Sequence, residues 1–105
     1  MTLRQKQSLF AKLVAEFIGW IYEQGYEVTF GDAYRDPRVK YGHPDSNHRK
    51  RLAIDLNLFK NGHYLTSTES HRPLGEKWES MNPLCRWGGR FEDGNHYSLE
   101  HVGMK

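Results

Sequence analysis

Residues 52–65 read LAIDLNLFKNGHYL, and this stretch decides the fold. Leucine or isoleucine occupies every second position as far as Leu58, which is the period of a strand with one buried face. The dipeptide Asn61-Gly62 is a strong signal for a two-residue hairpin, so residues 63–65 are predicted to return as a third strand. Asp55 is thereby placed on the strand face opposite the leucines.

The region before this strand predicts a helix and a first strand. Apolar side chains from Gln5 to Gln24 recur with the three-and-four spacing of a helix that buries one stripe. Gly25 follows as the expected C-terminal cap. Residues 26–30 then alternate apolar and polar side chains, as in a half-buried strand.

The region after the hairpin predicts a second helix and a last strand. Thr66 or Thr68 is the expected N-cap of a helix that has Pro73 near its start. The last strand is expected at His96 to Leu99, after a turn at Trp87-Gly88-Gly89. Residues 1–105 are therefore expected to form one α+β domain with a small, mainly antiparallel sheet flanked by helices.

Size and hydropathy favour a globular protein. The chain has 105 residues and 37% hydrophobic content, and it lacks the roughly 20 consecutive apolar residues that span a bilayer. Its first seven residues are polar and do not follow the order of a secretory signal. We therefore expect synthesis in the cytoplasm without a signal peptide, and no membrane insertion.

The residue types available for chemistry are histidines and carboxylates. Cys85 is the single cysteine and has no partner for a disulfide or a thiolate metal site. The net charge of +2 is small, and the short basic run at residues 48–51 is more typical of a solvated face than of nucleic-acid binding. Six histidines are an unusual number for this length, and histidine is the commonest metal ligand.

Two short motifs supply a candidate metal site. His48 lies in a polar loop, and Asp55 follows seven residues later in the strand. A catalytic zinc takes three protein ligands and keeps one open position, and the stretch from Asp93 to His96 offers the third ligand beside a carboxylate. Each residue alone also has an ordinary structural interpretation: Asp55 can pair with an arginine, and Asp93-Gly94 is a common turn dipeptide. The combination indicates a metal site.

The joint pattern resembles a known family. Ser46-x-His48-x-x-x-x-Ala53-x-Asp55, with Trp87-Gly88-Gly89 and Asp93-x-x-His96 downstream, is similar to the LAS metallopeptidases. These comprise lysostaphin-type, D-alanyl-D-alanine-cleaving and hedgehog-like domains. The chain resembles in particular the phage L-alanyl-D-glutamate endopeptidases, roughly over residues 26–99.

The resemblance implies a role for each matching residue. His48, Asp55 and His96 match the ligands of Zn²⁺, and Asp93 matches the carboxylate that acts as general base. Arg35 matches the arginine that steadies the oxyanion, although on its own it is equally a surface partner of Asp32 or Asp36. The candidate substrate contacts are Ser46 and Trp87, of which Trp87 is as readily a core residue.

One residue departs from the family pattern, and other residues compete for the proposed roles. The family usually has glycine where this chain has Arg51, for which we expect a negative φ and an altered path into the strand. His43 and His101 are rival ligands. On a strand, however, His96 and His101 would face opposite sides and could not easily bind the same ion. Glu100 is the rival base. His63 and His71 are expected at the surface.

The expected function rests on the resemblance. It implies a monomeric, zinc-dependent hydrolase that cuts an amide bond in peptidoglycan stem peptides, between L-alanine and D-glutamate, as in endolysin-like lysis of the cell wall by a bacteriophage. Nucleic acid is not an expected partner. Two alternatives stay open: a metal-binding module without hydrolysis on the same scaffold, and a small nucleic-acid-binding or nuclease domain built on the basic run.

Overall fold

The computed structural model describes residues 1–32 and 50–101. The first helix, α1, spans Leu3–Glu23 and begins with a capping box. The Thr2 hydroxyl accepts from the Gln5 backbone N–H, and the Gln5 side chain accepts from the Thr2 backbone N–H. The chain leaves the helix at Gly25, whose φ of +86° is a conformation that glycine adopts readily. The predicted helix is confirmed; its C-cap is Gln24, and the predicted cap, Gly25, is the next residue.

Five antiparallel strands form one sheet in the order β1-β2-β5-β4, with β3 also paired to β2. The strands are β1 (Glu27–Phe30), β2 (Ala53–Lys60), β3 (His63–Leu65), β4 (Cys85–Trp87) and β5 (His96–Leu99). The predicted α+β class is confirmed. Phe30 departs from the expected alternation, because its side chain is 66% exposed.

The long strand β2 organises the sheet. One of its edges pairs with β1, and the other edge is shared by β5 near its start and by β3 near its end. The hairpin between β2 and β3 turns at Asn61 and Gly62, which have φ values of 51° and 79°. Two successive positive φ values characterise the tight hairpin turn that the sequence predicted.

The second helix, α2, spans Thr68–Met81 and is capped by Ser67, whose hydroxyl accepts from the Ser70 backbone N–H. The expected caps, Thr66 and Thr68, each lie one residue away. After α2 come β4 and a short 3₁₀ helix, Gly88–Phe91. The sequence predicted only a turn in this region, because a strand of three residues is too short to show a period.

Both helices pack on one face of the sheet. Aromatic side chains from α1, α2 and β5 meet there: Phe17 lies 5.1 Å from Trp78 and 5.1 Å from Tyr97, between ring centroids. The Trp78 indole N–H donates to the carbonyls of Arg86 and Ser98, which ties α2 to the sheet. Within residues 1–32 and 50–101, no helix is long and apolar enough to cross a membrane.

Candidate functional site

Asp55 and His96 are brought together by the register of two strands. They are directly opposite residues in the antiparallel pair of β2 and β5, and directly opposite side chains project from the same face of a sheet. Ile54 and Tyr97, one residue along, pair on the core face. The site therefore lies on the sheet face opposite the helices. The Asp55 side chain is 19% exposed, and that of His96 is 6% exposed.

The separation of these two side chains fits a shared zinc ion. Asp55 Oδ1 lies 3.3 Å from His96 Nδ1. Two ligand atoms bound at about 2.0–2.1 Å in tetrahedral geometry are about 3.3–3.4 Å apart. The third predicted ligand, His48, lies outside the described residues. Among the residues that are described, no three histidine, cysteine or acidic side chains form a metal-binding group.

The backbone of Asp55 is held by the segment that follows β1. The Gly31 N–H donates to the Asp55 carbonyl at 2.8 Å, and the Asp55 N–H donates to the Asp32 carbonyl at 2.7 Å. A Cβ atom at Gly31 would lie 3.1 Å from the Asp55 Cβ, so glycine allows this close approach. Sequence analysis missed the contribution of Gly31, for which the only signal was a glycine directly after a predicted strand.

The predicted general base, Asp93, occupies the turn that leads into β5. Its N–H donates to the Gly88 carbonyl, and its own carbonyl accepts from the His96 N–H at 3.1 Å. A Cβ atom at Gly88 would collide with the Asp93 carbonyl and lie 2.7 Å from the His96 Cβ. Gly88 therefore permits the packing that positions both residues. The Asp93 side chain is exposed to solvent.

Trp87 is a core residue, 1% exposed, between Gly75 and Gly89. Its indole N–H donates to the Gly94 carbonyl at 2.7 Å. A buried ring does not contact substrate, so we revise the predicted substrate contact and assign to Trp87 the support of the turn that carries Asp93. The other predicted site residues, Arg35 and Ser46, and the rival ligand His43 lie outside the described residues.

The rivals His101 and Glu100 lie beyond the far end of β5. A strand rises about 3.4 Å per residue, which places His101 on the order of 15 Å from His96. His101 Nδ1 is 3.1 Å from Lys6 Nζ, and burial together with the charges of Lys6 and Lys50 lowers the His101 pKa. Glu100 is engaged by Arg86 at 2.7 Å. These surroundings do not favour a metal ligand or a general base.

Arg51 adopts a φ of 56°, so the expectation of a negative φ is wrong. This value lies in the left-handed region, which glycine enters without the cost that other residues carry. The backbone at Arg51 therefore takes a conformation that a glycine at this position would also allow.

His71 is buried, at 2% exposure, and the expectation of a surface histidine is wrong. His63, by contrast, is exposed as predicted. His71 Nδ1 lies 2.7 Å from the Tyr97 hydroxyl. Burial lowers the pKa of His71 to about 4, because the charged imidazolium loses hydration. Burial likewise raises the pKa of Tyr97.

The lowered pKa predicts that acid destabilises the fold through His71. The unfolded chain protonates this side chain near pH 6.5 but the folded state only near pH 4, so stability falls as the pH drops between these values. The loss should reach about 3 kcal/mol. Urea unfolding of wild type and His71→Gln at pH 7 and pH 4 measures it, because glutamine does not titrate. Parallel pH curves for the two proteins would contradict the prediction.

A polar cavity of about 200 Å³ adjoins the site, and Asp93 forms part of its wall. It opens at the edge of β2, in the gap between the part paired with β5 and the part paired with β3. A larger cavity of about 540 Å³ lies along α1 and is apolar apart from Gln7 and Arg51. The described lining of the larger cavity contains no acid, base or metal ligand, so of these two cavities the polar one belongs with the site.

The paired His96 and Asp55, with the Asp93 carboxylate in the adjoining turn, are residue types that metal-dependent hydrolases use. A sequence model of the D-alanyl-D-alanine carboxypeptidase family matches residues 40–99, more than half of the chain. The protein belongs to this family, whose members are metallopeptidases and are generally zinc-dependent. The matched range includes His48, Asp55, Asp93 and His96 but not Arg35. No curated protein matches the chain.

Proposed function

We propose that the protein is a zinc-dependent peptidase that hydrolyses the bond between L-alanine and D-glutamate in peptidoglycan stem peptides. The observation that carries the proposal is the pairing of Asp55 with His96 at 3.3 Å on the sheet face opposite the helices. Both residues fall inside the range matched by a family of peptidases that act on peptidoglycan peptides. In this proposal His48 supplies the third ligand.

The proposed division of labour assigns metal binding to two histidines and an aspartate, and proton transfer to the carboxylate of the adjoining turn. Zinc held by His48, Asp55 and His96 would supply an activated water near neutral pH. The Asp93 carboxylate, carried by the turn just before His96, would accept the proton of that water and return it to the leaving amine. Gly88 and Trp87 would support this turn from the core side.

The biological setting is proposed by resemblance to phage endopeptidases. The protein would be made in the host cytoplasm, would act as a monomer on the cell wall, and would contribute to lysis. The proposed reaction involves neither nucleic acid nor membrane insertion, because its substrate is the stem peptide alone.

Metal analysis and digestion of cell walls test the proposed function together. Purified protein should contain about one zinc per chain, as expected for three ligands and one open position. Mass spectrometry of digested peptidoglycan should show new L-alanine carboxyl ends and new D-glutamate amino ends. Zinc uptake without any cleaved peptide would favour a non-hydrolytic metal-binding module, and cleavage at another bond would correct the assigned specificity.

Arg35 provides a separate prediction. Arg35→Ala should keep the fold and the zinc content but lower turnover by about 100-fold, since one lost oxyanion donor typically costs that much. Arg35→Lys should recover only part of the rate, because an ammonium lacks the paired donors of a guanidinium. Steady-state kinetics and circular dichroism measure both effects. Unchanged turnover in Arg35→Ala would make Arg35 a surface residue.

A further inference from the structure

The polar cavity beside Asp93 has a defined origin in the sheet. β5 leaves the edge of β2 after Asp55, and β3 joins the same edge only at Leu58. In the gap between them, the Leu56 N–H donates to the Asn95 carbonyl. Asn57 follows Asp55 on the same strand face and lines the cavity. Asp55 and His96 do not line the cavity, whereas Asn57 and Asp93 do, so the cavity lies beside the predicted metal site and shares Asp93 with it.

The size and lining of the cavity suit one polar substituent. Ligand pockets for drug-sized molecules hold about 300–1,000 Å³, whereas this cavity holds about 200 Å³. Hydroxyl and amide side chains make up half of the lining residues. These residues are Asn57, Tyr64, Thr66, Thr68 and Asn95.

His71 contributes a hydrogen-bond donor to this cavity. Among the described residues, the buried Tyr97 hydroxyl has no hydrogen-bond partner other than His71 Nδ1. A protonated hydroxyl buried in the core needs an acceptor, so Tyr97 donates to Nδ1 and the ring proton resides on Nε2. His71 lines the cavity, and its Nε2 is not among the fully buried side-chain atoms that lack a partner. Nε2–H is therefore the group presented to the cavity.

The charge of the wall disfavours an anion. The described lining residues include two carboxylates, Glu92 and Asp93, and no lysine or arginine. The positive end of α2 is close by, since Thr68 is its first residue, but that end already carries the Ser67 cap and Glu69 in its first turn. A bound carboxylate would face two like charges. A bound ammonium has no hydrogen-bond acceptor and would leave the His71 N–H unpaired.

We propose that this cavity is a subsite for a neutral carboxamide, which accepts from His71 Nε2–H through its oxygen and donates to Glu92 through its nitrogen. The inference rests on the proposed function and deepens it. In stem peptides D-glutamate is linked onward through its γ-carboxyl, so its α-carboxyl group stands beside the scissile bond. The protein therefore prefers stem peptides in which this α-carboxyl group is a carboxamide.

Paired synthetic substrates test the preference. Zinc-loaded wild type should cleave the α-amide form of L-alanyl-γ-D-glutamyl-L-lysine with a kcat/KM at least about tenfold above that of the α-carboxylate form, the scale of one lost charge-assisted contact. Glu92→Lys should abolish or reverse this ratio, because the ammonium attracts a carboxylate. Glu76→Lys makes the same charge change on an exposed part of α2 outside the cavity and should keep the ratio. Equal rates for the two forms, or faster cleavage of the carboxylate form, overturn the proposal and leave the proposed function standing.

A binding measurement separates the subsite from the reaction. The cleavage products, γ-D-glutamyl-L-lysine and its α-amide, are titrated into wild-type protein while backbone amide resonances are followed. The amide form should bind at least about tenfold more tightly and shift the resonances of Thr68 and Gly94. If neither substrate is cleaved but this binding difference appears, the proposed function fails and the subsite stands. If neither product shifts these resonances, the subsite is absent.

Discussion

Asp93→Asn should lower turnover of stem peptides by about 100-fold or more while zinc content and melting temperature stay close to wild type. Asparagine is nearly the same size as aspartate and keeps a hydrogen-bonding oxygen, but it does not take up the proton. A loss of this size is the usual scale for a general base and corresponds to about 2.7 kcal/mol of transition-state stabilisation. The Asp93 backbone bonds to Gly88 and His96 do not involve the side chain, so the turn should persist.

Glu100→Gln is the matched control for this prediction. It removes a carboxylate of similar chemistry that is paired with Arg86 at the other end of β5, so turnover should change little. If Asp93→Asn hydrolyses stem peptides normally and Glu100→Gln loses this activity, the general base is Glu100 and not Asp93. Loss of zinc in Asp93→Asn as complete as in a ligand variant would make Asp93 a ligand and contradict the three-ligand site.

His96→Ala and Asp55→Ala should each abolish stoichiometric zinc binding and the stability that zinc confers. A ligand that binds only the folded state at about 1,000 times its dissociation constant adds about 4 kcal/mol to the free energy of unfolding. For a domain of this size that increment raises the melting temperature by on the order of 15–30 °C. Added zinc should therefore stabilise wild type strongly and leave both variants unchanged. His48→Ala should behave in the same way.

His101→Ala is the control, because it removes a histidine that lies beside Lys6 and away from the predicted site. It should bind zinc as wild type does, and full zinc occupancy in His96→Ala with loss in His101→Ala would reverse the ligand assignment. Asp55 has a further diagnostic outcome. If its carboxylate only orients the His96 ring, Asp55→Ala should weaken zinc binding by about 10–100-fold rather than abolish it.

The sequence by itself determined the local elements and the family. Alternation in residues 52–59 and the Asn61-Gly62 turn predicted β2 and its hairpin, because strand period and turn conformation depend on neighbouring residues. The helical spacing before Gly25 predicted α1 for the same reason. The motif around Asp55 and His96 also predicted the family, since its residue types and spacings are visible without a fold.

The tertiary structure alone decided which side chains meet and which are buried. Asp55 and His96 are far apart in sequence, and the register of β2 with β5 that places them 3.3 Å apart depends on long-range pairing. Burial of His71 follows from the packing of α2 on Tyr97. Local spacing had suggested a surface position for His71, because a polar residue near a helix start is usually solvated.

Two further features also depend on the tertiary structure and not on local sequence. The positive φ of Arg51 is a backbone conformation that the rest of the fold imposes on a residue that does not favour it. The polar cavity exists because β5 and β3 share one edge of β2 without meeting. The sequence of neither strand predicts this gap. Local sequence sets the preferences of each element, whereas contacts between distant elements set register, burial and the spaces left between strands.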